Sequence, residues 1–71
     1  MSLELETGLP SVRLIQNLIR EGKEVEIQLV TGNKISGKIR WQDPYCLCLS
    51  DTAEQTTLIW RQSIACIQLK S

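Results

Sequence analysis

The sequence predicts a mainly β domain, in which one short N-terminal helix precedes five antiparallel strands of a strongly bent sheet, an SH3-like open barrel. Three patterns carry this prediction. Apolar residues recur at helical spacing in residues 10–21, they alternate with polar residues along both arms of 24–43, and a continuous apolar run follows at 45–49. A chain of 71 residues forms one domain with a thin core.

The helix is predicted over residues 10–21. Pro10 suits the first helical position, where its missing N–H costs nothing, and Gly22 follows as a C-terminal stop. A helix of this length is marginal alone, so we expect its apolar stripe to pack on the sheet. The residues of that stripe are Leu14, Ile15, Leu18 and Ile19.

The composition of the chain and of its N-terminal segment limits the classes of protein to which the chain can belong. Residues 1–9 show no periodicity and are predicted to form a flexible acidic tail, which leaves one domain over 10–70. The net charge is zero, so bulk charge does not indicate a strongly basic nucleic-acid binder. We expect neither a signal peptide nor a membrane span, and the odd count of three cysteines fits a reducing, cytoplasmic compartment.

A long β-hairpin is predicted over residues 24–43. Its turn contains Gly32 and Asn33, the residue types that tolerate a positive φ. Gly37 stands on the apolar side of the second arm, where it has no side chain to pack. We therefore expect a bend or a bulge at Gly37.

The third strand is predicted over residues 45–49, after a turn at Pro44. Its apolar residues are continuous rather than alternating, which indicates that both faces are covered. Cys46 and Cys48 are then small buried hydrophobic residues. The alternative is a metal or redox pair, but the chain has no histidine and only Cys66 as a further thiol, so no metal and no cofactor is predicted.

The last two strands are predicted over residues 55–60 and 64–69, joined by a tight connection. Both are apolar and lack protective Lys or Pro until Lys70, so they invite pairing with another chain. Because the two edges differ, such pairing is head-to-tail, and head-to-tail pairing can close into a ring.

Four motifs stand in order along the chain. Residues 27–32 and 35–39 follow the pattern I-x-L-V-x-G-x-x-I-x-G-x-I, Asp43-Pro44-Tyr45 opens the third strand, and Trp60-Arg61-Gln62-Ser63-Ile64 comes near the end. With the helix before them, these motifs resemble those of the bacterial Sm-like RNA-binding family Hfq. The resemblance covers about residues 10–69 and is greatest to the divergent, cyanobacterial branch.

The resemblance implies an Sm-like fold assembled as a homohexameric ring, with strand four of one subunit paired to strand five of the next. It implies an RNA chaperone that binds single-stranded mRNA and small RNA in post-transcriptional regulation, with no catalytic activity. It also implies RNA contacts on two ring faces and on the rim.

On the face around the pore, the resemblance implies a uridine site. The matching positions are Ser11, Tyr45, Trp60, Arg61 and Gln62. Tyr45 keeps the aromatic residue of the family and Arg61 its basic residue. Gln62 replaces a histidine, and Ser11 with Val12 replaces a Gln-Asp pair, so we expect weakened uridine binding.

On the opposite face, the resemblance points to Gln28, Gly32, Asn33 and Lys34. Gln28 replaces an aromatic residue and so removes a stacking platform. On the rim, the resemblance points to Arg13 and Arg20, which are what this chain keeps of the family's basic cluster.

Alternatives stay open at each of these positions and for the whole chain. Tyr45 can be a core residue, Trp60 can pack at a subunit interface, and the arginines can be solvated charges. A ring acting mainly through protein partners fits the zero net charge, Gln28 and Gln62. A monomeric SH3-like module is a third possibility, although its edges would be unprotected, and an enzyme lacks a nucleophile with a base.

Overall fold

The computed structural model describes residues 8–70, where one helix packs on one five-stranded antiparallel sheet. The elements are α1 (Pro10–Glu21), β1 (Glu24–Leu29), β2 (Lys34–Gln42), β3 (Cys46–Ser50), β4 (Thr56–Trp60), a 3₁₀ turn (Arg61–Ser63) and β5 (Ile64–Leu69). The strand order in the sheet is β4-β3-β2-β1-β5. This architecture confirms the predicted fold class. Residues 1–7 lie outside the described part, so the flexible tail and the domain boundary stay predictions.

Helix α1 ends as its glycine predicts. Gly22 has a φ of 65° and donates its N–H to the Ile19 carbonyl at 3.3 Å. The next N–H, that of Lys23, reaches back to the Leu18 carbonyl at 3.2 Å. This pair of bonds is the Schellman motif, which satisfies carbonyl groups that the helix itself leaves without a donor.

The buried stripe of α1 differs from the prediction at two positions, Leu14 and Val12. Val12, Ile15 and Leu18 are buried, whereas Leu14 is exposed, so the prediction for Leu14 was wrong. Successive helical residues are about 100° apart, which places Leu14 about 100° from Ile15, the centre of the stripe that faces the sheet.

Strand β2 belongs to both halves of the folded sheet. Lys38 faces Glu24 of β1 on one side and Ser50 of β3 on the other. The register with β3 shifts between Ile39 and Trp41, whereas Gly37 pairs in regular register with Val25 of β1, so the prediction of a bulge at Gly37 was wrong. The predicted bend at Gly37 stays a prediction.

Gly37 has a different reason to be glycine. A Cβ atom at this position would lie 2.5 Å from the main-chain oxygen of Ser50. The residue therefore permits a close approach between β2 and the end of β3.

Strand β3 is buried along its whole length, which confirms the prediction of two covered faces. Leu47 and Leu49 join the core that α1 covers. Cys46 and Cys48 are also buried and carry free thiols, as predicted, while Cys66 is exposed. Burial raises the pKa of the Cys46 thiol, and the neighbouring Asp43 carboxylate adds to this rise.

Strands β4 and β5 are the two edges, as the sequence predicted. Within residues 8–70 each of them pairs with one neighbour only, β4 with β3 and β5 with β1. Large apolar side chains are exposed on both, namely Leu58, Trp60 and Leu69. No helix in this part of the chain is long and apolar enough to cross a membrane.

Candidate nucleic-acid interface

A surface hollow of about 340 Å³ lies where β4 meets the turn before β3. Its lining consists of Pro44, Tyr45, Trp60, Arg61 and Gln62. The structure thus brings together four of the five residues predicted for the uridine site. The fifth, Ser11, is exposed in the first turn of α1 and does not line the hollow.

Two aromatic side chains give the hollow its flat surfaces. Tyr45 is 57% exposed and Trp60 is 61% exposed. The alternative that Tyr45 is a core residue is therefore wrong for the single chain. Exposed aromatic faces can stack on nucleic-acid bases.

The turn that carries Tyr45 is organised by Asp43. One carboxylate oxygen, Oδ1, accepts the N–H groups of Tyr45 and Cys46, both at 2.8 Å. These two hydrogen bonds hold the pKa of Asp43 below its usual range, because both favour the ionised form. The bond from Cys46 has the larger effect and the bond from Tyr45 the next largest. The Arg61 guanidinium lowers the pKa of Asp43 further.

Arg61 is anchored and half-buried, so it is not a freely solvated charge. Its main-chain N–H donates to the Tyr45 carbonyl at 2.8 Å. In its side chain, Nε donates to the Asp43 carbonyl at 2.8 Å and Nη2 donates to Oε1 of Gln42 at 2.6 Å. The other guanidinium N–H groups have no protein acceptor in residues 8–70, which leaves them free for an anion or a base edge.

Gln42 belongs to this region, although no sequence motif singled it out. Its Nε2 donates to the Val12 carbonyl at 3.3 Å and to Oε1 of Gln16 at 2.9 Å. A polar residue at the end of a strand carries no pattern of its own. Only its contacts with α1 and Arg61, which are distant in sequence, distinguish it.

The residues predicted for the opposite face gather at the turn of the β1–β2 hairpin. Gln28 faces Lys34 across the two strands. Gly32 has a φ of 99°, as the turn requires, and is exposed together with Asn33 and Lys34. Among these residues there is no aromatic side chain, so the set offers main-chain groups, two side-chain amides and one cation.

The two predicted rim residues lie on one side of α1. Arg13 and Arg20 are both exposed, and residues seven apart fall within about 20° of each other around a helix. Arg20 donates a hydrogen bond to Oδ1 of Asn17, which lies between them on the same side. The pair forms a short basic stripe.

One family matches nearly the whole chain. The sequence model described as Hfq related matches residues 9–69. The chain belongs to the Hfq-related family. This finding confirms the resemblance given above and, with it, the broad prediction of an RNA-binding protein of the Sm-like type.

Two solved structures of Hfq proteins are similar to this chain. A crystal structure of an Hfq protein from Anabaena sp. is 52% identical, covers 87% of this chain and 98% of that chain, and has a TM-score of 0.80. A second crystal structure, of the pleiotropic translational regulator Hfq, covers 93% of this chain and 98% of that chain with a TM-score of 0.84. At 18% identity, the second shows the fold alone. A comparison with curated proteins found no match.

The Anabaena structure supports the predicted cyanobacterial branch of Hfq. Membership in the Hfq-related family does not test the individual site residues, which remain predictions on all three surfaces.

Proposed function

We propose that this Hfq-related chain forms a homohexameric ring that binds single-stranded RNA, both mRNA and small RNA, as a regulator without catalytic activity. The observation that carries the proposal is the hollow beside β4. There, two exposed aromatic side chains, Tyr45 and Trp60, stand next to the anchored Arg61. Flat faces for bases beside a cation for phosphate are the two elements of a single-strand binding site.

The position of the hollow supports a site that is repeated around a ring. Trp60 is the last residue of β4, and β4 is an edge strand. If β4 pairs with β5 of the next subunit, every hollow lies beside a subunit boundary. Six copies of Arg61 would then surround one axis, and their summed field would attract the RNA backbone.

The proposed base preference follows from the aromatic side chains present on each surface. The hollow retains aromatic faces, whereas Gln28 and its neighbours at the hairpin turn offer none. We therefore propose that uridine-rich RNA binds more tightly than adenine-rich RNA. Gln62 in place of a histidine and the zero net charge support an affinity below that of relatives with the complete motif.

The experiment is a titration of the assembled protein with uridine-rich, adenine-rich and scrambled oligoribonucleotides, followed by fluorescence anisotropy. We expect the uridine-rich oligomer to bind best. We also expect affinity to fall with salt by about 0.7 log units per log unit of salt for each phosphate contacted. Equal weak binding of all three oligomers would contradict the proposal.

A second candidate function is a ring that acts mainly through protein partners. It is favoured by two exposed apolar side chains, Trp41 and Leu58, which flank the buried Cys48 across three strands. An intact ring that binds none of the three oligomers would support this second function.

A further inference from the structure

We infer that Gln42 is a positioning residue, which fixes the direction of the Arg61 guanidinium and ties it to helix α1. The inference rests on the proposed function, because Arg61 is the cation of the proposed RNA site. It adds a residue from outside the lining of the hollow.

The Gln42 amide has one orientation that satisfies its neighbours. The Val12 carbonyl can only accept a hydrogen bond, and the Arg61 guanidinium can only donate. The Nε2 atom must therefore face Val12, at 3.3 Å, and Oε1 must face Arg61, at 2.6 Å. Both ends of the amide are used, so its direction is set by two elements at once.

Two bonds from different nitrogens fix the plane of the guanidinium. Nε of Arg61 donates to the Asp43 carbonyl at 2.8 Å, and Nη2 donates to Gln42. A planar group held at two atoms along one side cannot rotate about a single bond. The opposite end, with Nη1, is left to meet a phosphate or a base edge.

Loss of Gln42 would leave only one of these two side-chain bonds. The guanidinium would then keep the Asp43 contact and rotate about it. Its charge would remain in the hollow, but the orientation needed for two-point recognition of an anion would be lost. A weaker RNA site in an otherwise intact ring is the expected consequence.

The test variant is Gln42→Met, which keeps the length of the side chain and removes the amide. We expect uridine-rich RNA affinity to fall roughly three- to tenfold, the size of one hydrogen bond, with no change in ring mass. The matched control is Gln16→Ala. It removes one partner of Nε2 and leaves both the Val12 and Arg61 bonds, so affinity should stay at the wild-type value.

A double-mutant cycle separates positioning from general damage. If Gln42 acts through Arg61, Gln42→Met adds nothing to the loss that Arg61→Ala already causes. Additive losses would overturn the inference. So would an unchanged affinity of Gln42→Met when Arg61→Ala weakens binding. A wild-type protein that binds no more uridine-rich RNA than Arg61→Ala does would instead refute the proposed function.

A spectroscopic measurement tests the positioning without RNA. The Nε–H resonance of Arg61, identified by its loss in Arg61→Ala, should shift or broaden in Gln42→Met and stay in place in Gln16→Ala. The same resonance position in wild type and Gln42→Met would overturn the inference whatever the RNA titrations give.

Discussion

Tyr45 has an exposed side chain, although both of its main-chain polar groups are bonded within the protein. Its N–H donates to Asp43 and its carbonyl accepts the N–H of Arg61. With the backbone tied on both sides, the ring lies outside the core at the mouth of the hollow. Its ring is therefore accessible for the base stacking proposed above.

Tyr45→Ala should weaken uridine-rich RNA binding by roughly 1–3 kcal/mol for each base that stacks on the ring. Tyr45→Phe keeps the flat ring and is the matched control, with an affinity near that of wild type. Anisotropy titrations at one fixed salt concentration measure both. Equal losses in the two variants would show that the hydroxyl, and not stacking, carries the contact.

Asp43 links the same turn to pH. The pKa of its carboxyl is lowered in the folded chain, chiefly by the N–H of Cys46 and then by that of Tyr45. A lowered folded pKa means that the carboxylate stabilises the fold above its ordinary pKa of about 3.9. That contribution is lost as the pH falls through the folded value.

Asp43→Asn should therefore be less stable than wild type near neutral pH and lose less stability on acidification below about pH 4. Thermal unfolding across this range measures the difference. The control, Glu54→Gln, removes an exposed carboxylate that accepts no hydrogen bond in the part of the chain described. Parallel pH profiles for wild type and Asp43→Asn would contradict the role of the turn.

At the scale of the element, β2 joins the two halves of the sheet. It pairs with β1 along its first half and with β3 along its second. Folding the strand over brings the end of β3 against Gly37. The absence of a side chain at Gly37 is what allows the two halves of the sheet to approach.

Gly37→Ala should destabilise the protein by about 1–3 kcal/mol, because the new Cβ must displace the backbone of Ser50. Chemical denaturation measures this loss of stability as a lower midpoint, with an unchanged dependence of the unfolding free energy on denaturant concentration. Gly8→Ala serves as control, since a Cβ there meets nothing within 4 Å. Equal midpoints for the two variants would show that β3 can move away at little cost.

At the scale of the whole molecule, two apolar edge strands at opposite ends of one sheet are open to pairing with other copies of the chain. Neither β4 nor β5 is covered by another element in the described residues. Pairing between copies would complete the hydrogen bonding of both edges and bury Leu58 and Leu69 more deeply. The thin core of a short chain gains stability in the same step.

We expect light scattering at micromolar concentration to give the mass of six chains of 8.1 kDa each. The measured mass should stay constant when the protein is diluted within the micromolar range. A monomer under these conditions would remove the ring, and with it the repeated RNA site around an axis.

The sequence by itself determined the helix, the five strands and the two open edges, because periodicity, glycine stops and edge composition are local properties. Through two motifs that resemble those of the Hfq family, it also indicated Tyr45, Trp60, Arg61 and Gln62, and the structure places them around one hollow.

Only the tertiary structure decided which helical face is buried, why Gly37 must be glycine, and how Gln42 reaches Arg61. Each of these depends on a contact between residues far apart in the chain. Val12 rather than Leu14 is buried on α1, and Gln42 lies 19 positions from Arg61. No local sequence pattern predicts these contacts, because they form only when the sheet folds over and the helix packs against it.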